Sequence, residues 1–90
     1  STKICLKLMI KIAKTGVTKA KSDAKAQSEL LERVRDLIEE HEGTKLGKRY
    51  KKSRKFHKKN MERLDEKVRE TKQRLKDLRA KLGKLVEDEG

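Results

Sequence analysis

From residue 61 to residue 85 the chain repeats one spacing. Met61, Leu64, Val68, Thr71, Leu75, Leu78, Leu82 and Leu85 follow one another at alternating intervals of three and four residues, and all but Thr71 are apolar. A strand facing one side would need a period of 2, whereas this period of 3.5 belongs to a helix that lays one apolar stripe against another helix. That restricts the fold to helix packed on helix, within one chain or between chains. Asp65 and Arg69, Glu70 and Arg74, and Asp77 and Lys81 stand at i,i+4 in the acid-first order that supports a helix. The spacing predicts a helix over residues 61–86, fraying past Gly83 into the acidic Glu87-Asp88-Glu89.

A second stripe precedes it. Val17, Ala20, Ala24, Leu31, Val34 and Ile38 keep the same alternation with Gln27 in the one vacant position, and Leu30 and Leu37 widen it. Thr18 or Ser22 suits an N-cap, Asp23 suits a first turn, and Gly43 suits the residue after a helix. A helix is therefore expected over residues 18–42. Glu39, Glu40 and Glu42 at its C-terminus oppose the helix dipole, which predicts cationic partners for them. The two stripes are each roughly 32–36 Å long at the rise of an α-helix, and Gly43 and Gly47 mark a connector between them. Stripes of equal length joined by a short connector predict an antiparallel hairpin. A parallel coiled-coil dimer through residues 61–85 is the alternative.

The first residues read differently. Lys3, Lys7, Lys11 and Lys14 fall on one narrow helical stripe, while Ile4, Cys5, Leu6, Leu8, Met9, Ile10, Ile12 and Ala13 cover the rest of the circumference. A helix apolar around most of its girth needs cover on several sides. Gly16, beside Thr15 and near Thr18, reads as its stop. Residues 3–15 are thus expected to form a separate short helix that closes the groove of the hairpin, with Cys5 buried. The fold class is all-α: an antiparallel helical hairpin or small helical bundle with a coiled-coil-like C-terminal helix, in one domain. The lysine sector, about 80° wide on a helical projection, is narrow for a membrane-surface helix, so core or oligomer packing is the preferred reading.

Composition agrees with long helices. Charged residues make up 47% of the 90 positions, hydrophobic residues 32% and aromatics 2%, with no proline. So thin an apolar content favours support from a partner chain or a ligand. No apolar run approaches the ~20 residues that span a bilayer. Lys7 and Lys11 interrupt the one stretch that resembles a signal peptide. A single cysteine forms no internal disulfide and no Cys-cluster zinc site, which fits an intracellular, reducing setting, cytoplasmic or nuclear.

Charge is unevenly spread. The formal total is +12. Residues 44–60 hold nine basic side chains and no acid, whereas residues 21–43 are net acidic and residues 61–90 nearly balanced. Residues 43–60 are expected to be a basic connector or an extension of the last helix. Lys45, Lys48, Arg49, Lys51, Lys52, Arg54, Lys55, Lys58 and Lys59, interleaved with Tyr50 and Phe56, suit a phosphate backbone and rings that stack on bases. The bland alternative is internal pairing with Asp36, Glu39, Glu40, Glu42, Glu62, Asp65 and Glu66, too few acids to neutralise the run.

Nothing points to catalysis. There is no P-loop, no Ser/His/Asp arrangement and no i,i+4 histidine pair, and His41 and His57 read as surface residues. No cofactor, metal or small-molecule substrate is expected. The expected function is a structural nucleic-acid-binding protein of the ribonucleoprotein, ribosome-associated or nucleocapsid kind. The rival is an interaction module whose seam, Met61, Leu64, Val68, Leu75, Leu78, Leu82 and Leu85, docks a partner helix, a second copy or an acidic protein. A membrane-surface role ranks third.

Overall fold

The computed structural model describes residues 1–89 and contains two long helices, α1 (Thr2–Glu40) and α2 (Lys45–Glu89), folded back on each other as an antiparallel hairpin. The molecule is a rod of 69 × 14 × 14 Å. Contacts along its length fix the register. Lys3 pairs with Glu89 at the open end, Ile10 and Ala13 pack with Leu78, Asn60 bonds to Gln27, and the His41 ring lies against Tyr50 near the turn.

Gly16 does not end a helix. α1 runs through it without a break, so the separate helices expected over 3–15 and 18–42 are one element, and the described residues contain no third member of a bundle. The physical reason lies in the seam. Counting back from Val17, Ala13, Ile10, Leu6 and Lys3 keep the three–four alternation, and these positions are buried or half-buried. One glycine inside a helix costs about 1 kcal/mol, less than burying the stripe that continues on its N-terminal side. Thr15 and Thr18 do not cap anything: their hydroxyls donate to the carbonyls of Lys11 and Lys14 one turn back. Nor is Ser22 an N-cap, since it lies inside α1.

α2 is extended in the same way. It begins at Lys45, so residues 45–60 are helix and the connector shrinks to four residues between Glu40 and Lys45. Gly47, Tyr50, Arg54 and His57 carry the alternation back from Met61 and face α1, each buried or half-buried. Within the expected stripe Leu64 and Leu78 are buried, while Met61, Val68, Leu75, Leu82 and Leu85 are half-buried. A helix with one neighbour cannot do better, and no side chain among the described residues is fully buried. The hydroxyl of Thr71 is satisfied within α2 by the carbonyls of Lys67 and Val68.

The turn depends on two glycines for different reasons. Gly43 has φ +78°, a conformation that side-chain-bearing residues rarely adopt. Gly47 lies in α2 where a Cβ would collide with the His41 carbonyl oxygen. Thr44 caps α2: its hydroxyl oxygen accepts from the Gly47 N–H at 3.0 Å and donates to the His41 carbonyl at 2.6 Å. Gly47→Ala should therefore lower stability by about 1–3 kcal/mol. Gly16→Ala, whose new methyl meets nothing within 4 Å, should raise stability by about 0.5–1 kcal/mol. Thermal melts of the two variants check this, and a Gly47→Ala protein as stable as its parent would show that the turn is not this tight.

Midway along the rod the seam turns polar. Gln27, 7% exposed, donates from Nε2 to His57 Nδ1 at 3.1 Å and accepts from Asn60 Nδ2 at 2.6 Å. Asn60 Oδ1 in turn accepts from Arg63. A buried amide satisfied only by partners on the other helix penalises every shifted register, because a slip would strand it. His57 thus lies at the contact between the helices, and His41 is half-buried in the turn against Tyr50, rather than on the free surface expected for them.

Candidate nucleic-acid interface

Because residues 45–60 are helical, the seam sorts their side chains. The side facing α1 takes Tyr50 and Arg54, which are half-buried. Opposite the seam stand Lys48, Lys52, Lys55 and Lys59, with Lys51 and Lys58 on one flank and Lys45, Arg49 and Phe56 on the other, all exposed. At 1.5 Å per residue this cationic ridge extends for roughly 20 Å.

Two of the expected contact residues are placed elsewhere. Tyr50 has its ring 5.7 Å from that of His41 and closes the turn, so it is not a free stacking platform. Arg54 borders a groove with Ser28, Leu31, Glu32 and Arg35 of α1 and with Lys58, turned from the outer ridge. Phe56 is the opposite case. It is 69% exposed, its neighbour His57 holds it edge-on at 5.5 Å, and Lys59, Asn60 and Arg63 line the groove beside it.

The internal pairing weighed as the alternative is not found. Among the described residues the ion pairs are Lys3 with Glu89 and Arg69 with Glu66, and neither involves residues 45–59. Glu39, Glu40 and Glu42 stay exposed without a cation in pairing distance. Arg69 takes Glu66, at i,i+3, over Asp65, and that carboxylate raises its guanidinium further above the ordinary value through a hydrogen bond and charge. The ridge is therefore uncompensated. Like charges at i,i+3 and i,i+4 cost about 0.2–0.5 kcal/mol per pair in a helix, and here Lys48, Lys51, Lys52, Lys55, Lys58 and Lys59 form several such pairs. The α2 N-terminus adds the positive end of its dipole to the same end of the rod.

The remaining chemistry is sparse. Among the described residues no group of three His, Cys, Asp or Glu side chains is placed to hold a metal ion. No helix among them is long and apolar enough to cross a membrane. Sequence reasoning missed the roles of Gln27 and Asn60 as a bonded pair across the seam, although Gln27 stood out as the one polar residue in an apolar stripe. No family model, curated protein or solved structure matches the chain, and its function must be inferred from the geometry of the rod.

Proposed function

We propose that the protein is a non-enzymatic nucleic-acid-binding element that grips the phosphate backbone of RNA or DNA with the outer face of α2 between Lys45 and Lys59. The observation that supports this most strongly is the ridge itself: exposed cations on one helical face, with no acid in the segment and no ion pair to any of them among the described residues. A folded chain that keeps such repulsion unrelieved gains when an anion relieves it. Phosphates do so with an added entropic term, since each neutralised phosphate releases condensed counterions. On duplex DNA the outer face of such a helix fits the major groove, about 12 Å across, where a ridge ~20 Å long reaches phosphates on both sides. Phe56, exposed beside Lys59, offers one stacking face to an unpaired base. Arg54 and Tyr50 serve the helix contact, and the hairpin is the scaffold that keeps the ridge helical.

The rival reading, docking of a partner helix on the residue 61–85 seam, has α1 as a competitor for that seam, because α1 already covers Leu64 and Leu78 and half-buries Met61, Val68, Leu75, Leu82 and Leu85. The proposed function suits an intracellular setting, cytoplasmic or nuclear, in a ribonucleoprotein-like assembly. Its test is a titration of the whole chain with duplex and single-stranded RNA and DNA at two salt concentrations. Binding should weaken as salt rises, with a log–log slope near −4 to −5 on duplex if about five cations touch phosphates. Phe56→Ala should cost single strands roughly tenfold in affinity and duplexes little. A chain with no affinity for any of these at low salt would contradict the proposal.

A further inference from the structure

The open end of the rod carries a second surface that the ridge does not explain. Ile4, Leu8, Met9 and Ile12 are 59%, 56%, 39% and 74% exposed, and Cys5 among them is exposed too, against the expectation that it is buried. On a helical projection they fill an arc of about 140° on the side of α1 turned away from α2. Lys7 and Lys11 border this arc on one side, and residues 1–20 contain five lysines and no acid. The narrow lysine sector argued against a membrane-surface helix when the whole circumference was counted. With the seam side covered by α2, what remains exposed is an apolar face with a cationic edge, the profile of a helix that lies in a lipid headgroup layer.

We infer that this face docks the open end of the hairpin onto an anionic lipid surface, with Ile4, Leu8, Met9 and Ile12 entering the acyl boundary and Lys7 and Lys11 meeting the headgroups. Area and charge select this occupant. The four side chains expose on the order of 400 Å², about half of what each partner buries in a standard protein–protein complex. A second copy would also bring the same lysines together with no acid on that face to answer them. A bilayer needs only a few inserted side chains plus attraction to its charge. The acids Glu87, Asp88 and Glu89 belong to the other helix, and Glu89 is turned to Lys3 at the edge of the seam.

Cys5 reports on the docking directly. A water-soluble thiol reagent should label it rapidly in the free protein, and several-fold more slowly once vesicles of phosphatidylcholine with phosphatidylserine are added. Vesicles of phosphatidylcholine alone should protect it far less. The triple variant Ile4→Ser/Leu8→Ser/Ile12→Ser alters only exposed side chains, so it should keep its helicity and its nucleic-acid affinity while losing at least about tenfold in affinity for the anionic vesicles. Labelling that vesicles do not slow would overturn the inference. So would a triple variant that binds vesicles like its parent, because the attraction would then be the α2 ridge acting through charge alone. Light scattering that finds a dimer dissolved by Leu8→Ser would overturn it in favour of a second copy.

Discussion

Leu78→Asp abolishes the cooperative thermal transition of the hairpin, and Ala80→Asp, two residues away, leaves it nearly unchanged: this is the expected result for the scaffold. Leu78 is 4% exposed and sits among Ile10, Ala13, Leu6, Leu75 and Leu82. Truncating a buried leucine to alanine costs about 2–5 kcal/mol, and a carboxylate in the same place adds the cost of an unpaired charge or of its protonation. A two-helix rod with no fully buried side chain among its described residues has little stability in reserve. Ala80 is exposed, and surface changes of that kind stay within about 0.5 kcal/mol. Circular dichroism melts of both variants decide the matter. A Leu78→Asp protein that melts like its parent would mean that α2 is a free helix and that α1 does not cover its stripe.

The hairpin was legible where the seam is apolar. Leu64, Leu75 and Leu78 on one side and Val17, Ala24 and Val34 on the other announce their period, and two stripes of equal length imply that they pair. It became illegible where polar or small residues occupy seam positions. Lys3 on α1, and Gly47, Tyr50, Arg54 and His57 on α2, look like interruptions when judged by type, and Gly16, between the seam positions Ala13 and Val17, reads as a stop. Judged by phase, the alternation passes through them and both helices extend to the turn and the open end. Gly16 shows the ambiguity most clearly, since glycine serves both as a helix stop and as a tolerated interior residue. The apolar phase survives it from Val17 to Ala13, and that is the signal separating the two uses.

For the proposed interface, charge was legible and orientation was not. Nine cations without an acid mark residues 44–60 whatever their conformation. Whether Arg54 faces outward with Lys52 or inward with His57 depends on the helical phase, and a segment that could be either connector or helix has no defined phase. Tyr50 and Phe56 look equivalent in sequence. The phase puts the first beside His41 and the second in solvent. At the other end, apolar residues around the whole girth of residues 4–13 implied burial on every side. A two-helix rod covers one side only, so Ile4, Leu8 and Ile12 are left facing out.

Removing the ridge should have the largest functional effect, and an effect on stability of the opposite sign. Lys48, Lys52, Lys55 and Lys59 are exposed, lie off the seam and make no ion pair among the described residues. Replacing all four with Gln relieves several like-charge pairs, each worth about 0.2–0.5 kcal/mol, so the variant should melt no lower than its parent at low salt and slightly higher. Its affinity for nucleic acid should fall roughly 100- to 1000-fold at 0.1–0.2 M salt, on all sequences alike. Side chains that cost the fold stability and prove necessary for binding would mark the ridge as a functional surface.

The most direct measurement is the slope of log affinity against log salt on duplex nucleic acid, for the parent chain and for Lys48→Gln/Lys52→Gln/Lys55→Gln/Lys59→Gln side by side. Each phosphate contact contributes about −0.9 to that slope, so if all four lysines touch phosphates the variant should be shallower by about 3–4. An unchanged slope would show that these lysines touch no phosphates, and would contradict the assignment of the α2 ridge as the nucleic-acid interface.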